Sequence, residues 1–310
     1  MTEILRLTQA EIRALDAEME AKAAAGSVHL RAGSLSPGSQ SAAGLGGYLF
    51  IALGSNRWET RYQGEVDISP GWFAAWAALL EQRQEKARQL GVELWNVVVP
   101  EKQVILPELR WRQPPSGAKR PFLQLLARLK PEHRVHYCAA DLARAKAEGP
   151  VFHVLDSHWC ASGVLAATAG LLAGMQVDVD VAKLRFAYAR EVRVHDLTKH
   201  FFVEPPSFEA GRLQANGDMP HRYEALLETG RYTGTQLKIC NPDAPDPRRL
   251  AIFGDSYSYE AGLLYSLSAV FAEVWFLWSK EVAWPFVERE GVDVVIWESA
   301  ERFMPDLPKA

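Results

Sequence analysis

A serine, a histidine and an aspartate stand in this 310-residue chain where apolar runs give way to turns. Gly254-Asp255-Ser256 closes the run Leu250–Phe253 and opens a segment, Glu260–Ala272, with apolar residues at helical spacing, so Ser256 is expected on a strand-to-helix junction. Asp156-Ser157-His158-Trp159 stands in the same relation to the apolar run Pro150–Leu155 and to the Ala- and Leu-rich segment Ala161–Met175. A serine hydroxyl is almost un-ionised at neutral pH and needs a base that titrates near that pH, which imidazole does. Asp156 would then fix the imidazole tautomer, His158 take the serine proton, and Ser256 attack an acyl carbonyl. The free N–H groups of the first helical turn would face the oxyanion that forms.

Taken singly, each residue has a plainer account: Asp156 as a helix cap, His158 as a polar surface residue, Ser256 as a turn residue. Their common place at the carboxyl ends of expected strands, where open α/β sheets bind ligands, favours the triad. Asn56, reached through a Gly-Ser turn, is equally well an oxyanion donor or a turn former. Tyr257 and Trp159, beside the nucleophile and the base, are further candidates for oxyanion or substrate contact. Trp58, Trp111, Trp159 and Trp278 offer sugar-stacking faces, although large aromatics usually fill cores. Glu298 and Arg302 end the last apolar run and either line the same crevice or pair as a salt bridge. Asp156-x-His158 would need a third ligand to hold zinc, and His153, His195 and His200 supply no spacing that demands a metal. Cys160, at an apolar helix start, reads as a buried structural thiol rather than a nucleophile.

These residues require a sheet to hold them, and apolar runs alternate with helical patterns along the chain. Strands are expected at Tyr48–Leu53, Val92–Val99, Arg134–Cys138, Pro150–Leu155, Leu250–Phe253, Glu273–Trp278 and Val292–Glu298. Helices are expected at Ser69–Leu90, with Pro70 first and Gly91 as the stop, and at Phe122–Leu129, Asp141–Glu148, Ala161–Met175, Glu260–Ala272 and Lys280–Glu290. This predicts an α/β three-layer sandwich with a mostly parallel central sheet. Thr8 and Glu11 have the capping-box spacing. With Ile4, Leu5, Ile12, Leu15 and Met19 they mark an accessory helix ending near Gly26. A Gly/Ser-rich connector spans Ala32–Gly47, so residues 1–46 are expected outside a catalytic domain of 47–310. Pro114–Gly117 marks a loop. The less regular stretch 177–247 reads as an insertion or lid, with short strands at Leu184–Val194 and Thr235–Cys240.

A formal net charge of −4 with no dense basic run gives no footprint for nucleic acid. Cys138, Cys160 and Cys240 are widely spaced and read as free thiols. No apolar run reaches membrane-spanning length, and Met1–Arg6 shows no leader pattern, which predicts a soluble, cytoplasmic chain. No Gly-rich phosphate cradle stands out, and no cofactor or metal is expected.

Several segments together resemble the SGNH-hydrolase-like domain of the alginate O-acetyltransferase family. They are Gly47-Tyr-Leu-Phe50 leading to Gly54-Ser-Asn56, Val97-Val-Val-Pro100-Glu-Lys102, Asp156-Ser-His158-Trp159, His195-Asp-Leu197, Gly254-Asp-Ser256-Tyr-Ser258 and Glu298-Ser-Ala-Glu301-Arg302-Phe. They follow the family's order from about residue 47 to 305. The resemblance implies a permuted SGNH topology, because ordinary SGNH hydrolases carry Gly-Asp-Ser ahead of the Asp/His pair. It implies catalytic roles for Ser256, His158 and Asp156, acetyl transfer to a sugar hydroxyl, and a periplasmic or extracellular setting. The expected activity is therefore O-acyl transfer, chiefly acetyl, through acyl-Ser256 from an unidentified donor to a carbohydrate or small polyol. An esterase with the same triad and a non-catalytic carbohydrate-binding protein are the alternatives.

Overall fold

The computed structural model describes residues 3–27, 29–54, 56–113, 119–218, 221–222 and 235–307. Its strands are β1 (Ile4–Leu7), β2 (Ser41–Ala43), β3 (Leu49–Ile51), β4 (Glu93–Val99), β5 (Val135–Tyr137), β6 (Phe186–Val194), β7 (Ser207–Leu213), β8 (His221–Arg222), β9 (Gln236–Cys240), β10 (Asp246–Gly254), β11 (Phe271–Trp278) and β12 (Val294–Ala300). Seven of them form one sheet in the order β5-β4-β12-β10-β11-β9-β8. The pairs from β5 to β11 are parallel, and β9 and β8 extend that edge antiparallel. Strand β10 is the middle strand, with Leu250–Phe253 in register with Val294–Trp297 on one side and Val274–Leu277 on the other.

Side-chain alternation sends the two faces into separate cores. Leu250, Ile252, Val274, Phe276, Val294 and Ile296 face helices Gln9–Ser27, Ala161–Gly174 and Leu263–Leu267. Ala251, Phe253, Trp275, Leu277, Val295 and Trp297 face helices Pro70–Leu90, Pro121–Leu126 and Trp284–Glu290. Both faces being covered explains why these strands read as continuous apolar runs. The result is the expected α/β sandwich with a mostly parallel sheet. Among the described residues no helix is long and apolar enough to cross a membrane.

Local signals work as expected where nothing tertiary competes. Ser69 Oγ accepts from Trp72 N at 3.2 Å to start the Pro70–Leu90 helix, and Gly91, at φ +69°, ends it in the left-handed conformation. Thr8 and Glu11 form their reciprocal cap, with the Thr8 N–H 2.7 Å from Glu11 Oε2.

Other expectations are corrected. The helix Gln9–Ser27 is not accessory, since Ile12 and Met19 are fully buried in the main core, and Ile4–Leu7 is a strand antiparallel to β6 rather than the helix's first turn. Within Ala32–Gly47 the chain forms an edge strand, β2, whose Ser41, Ala42 and Ala43 are buried. Among the described strands β3 pairs with β2 alone, in a separate two-stranded sheet, so the expected strand Tyr48–Leu53 lies outside the parallel sheet. The 177–247 stretch contributes β6 and β7 to a three-stranded sheet with β1, and β9 to the main sheet. Of the segment Glu260–Ala272 only Leu263–Leu267 is helical: Gly262, at φ +102°, separates it from the short helix Ser256–Tyr259, and Phe271 already begins β11. The loop at Pro114–Gly117 lies outside the described residues.

Candidate active site

Ser256 follows β10 after the single residue Asp255. Gly254 ends the strand against Glu298, and a Cβ there would lie 2.6 Å from Glu298 Oε2 and 2.8 Å from Ser258 Oγ, so glycine is needed for close approach. Asp255 then caps the helix Ser256–Tyr259 with a side-chain oxygen 2.9 Å from Tyr257 N, and its other oxygen takes the N–H of Ala300 at 2.9 Å. Glu298 Oε2 accepts from Asp255 N at 3.1 Å and from Ser258 Oγ at 2.6 Å. The turn carrying the serine is thus bolted to the carboxyl end of β12.

Asp156 and His158 lie elsewhere than expected. Pro150–Leu155 is not a strand; residues 151–160 form a buried loop pinched by an isolated bridge between Phe152 and Trp159. The loop nevertheless delivers both side chains to Ser256. His158 Nε2 is 2.9 Å from Ser256 Oγ, and His158 Nδ1 is 2.7 Å from Asp156 Oδ1. With the proton on Nδ1, the imidazole donates to Asp156 and accepts from the Ser256 hydroxyl. Ser256 itself is half-buried, Asp156 and His158 buried.

The carboxylate is supported on its other side. Asp156 Oδ2 accepts from Asp196 N at 3.3 Å and lies 3.5 Å from Arg193 Nη2 and 3.7 Å from His195 Nδ1. Burial alone would raise its pKa, but the hydrogen bond from His158, the adjacent His195 ring and the nearby Arg193 charge hold it well below the usual carboxylate range. Burial would likewise depress His158, and the hydrogen bond and charge of Asp156 outweigh it, so its pKa is raised. Asp196 takes the Ser157 N–H at 2.8 Å and the Ser157 hydroxyl at 2.5 Å.

Asp156, His158 and Asp196 together offer three ligand atoms within 4.8 Å of one another, so Asp196 supplies the third group that a metal reading lacked. The flanking Arg193, with Nη2 3.5 Å from Asp156 Oδ2, opposes a cation there, and His158 Nδ1 is already committed to Asp156. The chemistry of this donor set is that of a hydrogen-bonded base.

The other expected site residues fall into different places. Tyr257 is fully buried, and its hydroxyl donates to the Ser157 carbonyl at 2.8 Å. Trp159 is core, packed edge-on against Tyr257 at 5.4 Å between centroids, and Trp58 is also buried; neither presents a sugar-stacking face. Asn56 Nδ2 donates to Asp306 Oδ2 at 2.8 Å. Glu298 and Arg302 do not pair: Glu298 supports the nucleophile turn, while Arg302 Nη1 contacts Glu101 Oε1 and Oε2 at 2.9 and 3.0 Å. The Arg302 guanidinium also lies 5.5 Å from the Tyr257 ring centroid. Cys160 Sγ lies 3.3 Å from the Pro150 carbonyl oxygen, and burial pushes the thiol well up.

Of the N–H groups in the first turn after Asp255, that of Tyr257 is taken by the Asp255 side chain, and those of Ser258 and Tyr259 by the Asp255 carbonyl at 3.1 and 3.2 Å. The Ser256 N–H, first in the helix, has no intrahelical acceptor. Sequence reading missed Asp255 as a cap, Asp196 as a loop anchor and Glu101 as the partner of Arg302. The Asp before the serine was a visible N-cap signal; Asp196 and Glu101 stand in the landmarks His195-Asp-Leu197 and Pro100-Glu-Lys102, but their partners are distant in sequence and leave no local mark.

No family model matches the chain, and no curated protein does. Solved structures do. The O-acetyltransferase domain of Pseudomonas putida AlgJ superposes with a TM-score of 0.53 at 18% identity, covering 87% of this chain and 93% of that one. Bacillus cereus PatB1 with a sulfonyl adduct gives a TM-score of 0.58 at 11% identity over 83% and 93% of the two chains. A DHHW family protein from Eubacterium siraeum gives 0.51 at 15% identity over 74% and 84%. The chain therefore shares the fold of these proteins.

Proposed function

We propose that the protein is a serine O-acyltransferase, acting chiefly with acetyl groups, in which Ser256, His158 and Asp156 form the catalytic triad. The observation that carries this reading is the continuous hydrogen-bonded line from Ser256 Oγ through both nitrogens of His158 to Asp156, at 2.9 and 2.7 Å. The O-acetyltransferase description of the AlgJ domain, which shares the fold, supports acetyl as the group transferred.

In the first half-reaction His158 Nε2 takes the Ser256 proton as Oγ bonds to the acyl carbonyl carbon. The carbonyl oxygen becomes an oxyanion beside the Ser256 N–H. Collapse breaks the bond to the donor's leaving group, which leaves with the proton from His158, and acyl-Ser256 remains. In the second half His158 takes a proton from an acceptor hydroxyl, whose oxygen attacks the acyl carbon. The new ester departs and the proton returns to Ser256. Asp156 stays ionised throughout, consistent with its depressed pKa, and stabilises the imidazolium formed in each half.

The acceptor is a carbohydrate or small polyol. Incubation with an activated acetyl ester, with and without sugar acceptors, tests the reading: acetylated acceptor is expected, together with acetyl-Ser256 in the intact protein by mass spectrometry. Acetate release unaffected by any acceptor would instead assign an esterase with water as acceptor.

A further inference from the structure

We propose that Glu20, on the helix Gln9–Ser27, is a positioning residue for the triad, fixing the loop that carries Asp156 and His158. The inference rests on the acyl-transfer reading of Ser256.

The loop from Val151 to Cys160 is buried along its whole length, yet few of its backbone groups pair with one another. His153 N donates to the His158 carbonyl at 3.2 Å and Cys160 N to the Val151 carbonyl at 3.2 Å. The middle of the loop must find partners elsewhere, because buried backbone groups rarely remain unpaired. At Val154 those partners include two buried charged side chains of opposite sign. Glu20 Oε2 accepts from Val154 N at 2.6 Å, and Lys102 Nζ donates to the Val154 carbonyl at 3.0 Å and to the Leu49 carbonyl at 2.7 Å. The Leu49 N–H adds a second contact to the Val154 carbonyl at 2.9 Å. Asp156 follows two residues later.

Glu20 holds the loop at a second point. Its Oε1 is 2.5 Å from His153 Nδ1, and the His153 ring meets His195 edge-on at 5.7 Å. His195 Nδ1 in turn lies 3.7 Å from Asp156 Oδ2. Burial would push the Glu20 carboxyl up, but the His153 charge and hydrogen bond and the Val154 N–H bring it below its ordinary value, so Glu20 is an anion where it meets the loop. Desolvating a carboxylate is costly when an apolar side chain would fill the same space. What the carboxylate adds is two directed contacts that place the loop, and the 2.9 Å Ser256–His158 contact depends on that placement.

The test compares Glu20→Met, which removes both acceptor oxygens, with Glu20→Gln, which keeps an acceptor for the Val154 N–H. The probe is a serine-reactive phosphonate. Its second-order rate of labelling at Ser256 is read by mass spectrometry across pH, with unfolding midpoints measured alongside. Glu20→Met is expected to label roughly 10- to 100-fold more slowly per folded molecule, as misplaced catalytic groups do. Its acid limb should move to lower pH, because a loosened loop weakens the Asp156–His158 bond that raises His158. Glu20→Gln should recover most of the rate. A purely structural role would lower the unfolding midpoint without moving the acid limb. If Glu20→Met does not fold, Glu20→Asp, too short to reach Val154, is expected to show the same slowing and the same shift. Labelling of a folded Met or Asp variant at the wild-type rate with an unmoved limb overturns the inference and leaves the triad standing. Wild-type protein that does not label at Ser256 overturns the acyl-transfer reading itself.

Discussion

The Tyr257 hydroxyl donates to the Ser157 carbonyl at 2.8 Å, joining the residue after the nucleophile to the residue between the two other members of the triad. Elements 100 positions apart in sequence are thereby held at the spacing that proton transfer needs. Tyr257→Phe keeps the ring contacts with His158 and Trp159 and leaves the Ser157 carbonyl without this donor. The expected loss is about 1–3 kcal/mol of stability in urea unfolding, with a several-fold fall in kcat. Unchanged stability and rate would show that the two elements are placed by packing alone.

Asp156→Asn removes the charge that raises His158. Activity needs neutral His158, so in the wild type it rises with pH through a midpoint above the ordinary 6.5. In the variant the acid limb should move to lower pH while the plateau rate falls roughly 10³- to 10⁴-fold, as loss of the orienting carboxylate does in such triads. Stability follows the same linkage with opposite signs for the two groups. The Asp156 contribution is complete above its ordinary value and is lost as pH falls through its depressed pKa. The His158 contribution is complete below 6.5 and is lost as pH rises through its raised pKa. A pH–rate profile and urea unfolding at several pH values check both.

How far the sequence foretold this arrangement depends on where each constraint resides. Strand β10 and the Gly254-Asp255-Ser256 turn were readable because a buried parallel strand is a continuous apolar run and its exit needs small and capping residues. The first half of the loop at 151–160 was misread as part of a strand, Pro150–Leu155, because it is equally apolar. The loop's backbone is satisfied by Glu20, Lys102, Asp196 and Tyr257, side chains distant in sequence that leave no periodic mark. Helix Gln9–Ser27 was set aside for its intermittent apolar stripe. The polar residues in the gaps include Asp16 and Glu20, both buried and bonded to Ser162, Tyr188, His153 and Val154, so a face that reads as solvated is core.

Glu298 is buried beneath the nucleophile turn; burial and the neighbouring Asp255 charge raise its carboxyl well above the ordinary 4.5, so it keeps its proton at pH values where an ordinary glutamate has lost it. Glu298→Gln mimics the protonated carboxyl and keeps an acceptor for Asp255 N and Ser258 Oγ, so below the raised value stability should change by less than about 1 kcal/mol. Glu298→Ala, which leaves both donors unpaired, should cost about 2–4 kcal/mol. The native state keeps this proton above the pH at which the unfolded chain releases it, so wild-type stability declines as pH rises from 4.5 toward the raised value. Glu298→Gln should lack that part of the decline. Unfolding free energies from pH 5 to 9 test this, and parallel curves for the two proteins would refute a raised Glu298 carboxyl.

Arg302 and Glu101 form a buried pair at 2.9 and 3.0 Å, and Arg302 is among the charges that lower His158. Removing one member of such a pair leaves the other charge buried and unmatched. Arg302→Met should therefore cost about 3–5 kcal/mol, whereas the double variant Glu101→Gln/Arg302→Met should recover much of that loss. The effect on the base runs in the opposite direction to Asp156→Asn: without the guanidinium, His158 binds its proton more tightly and the acid limb moves to higher pH. A double-mutant cycle in urea unfolding, read beside the pH–rate profile, separates the two roles. An acid limb that stays in place in Arg302→Met would leave Arg302 with the structural role only. Movement would make Arg302 the cation that sets how far Asp156 can raise its histidine.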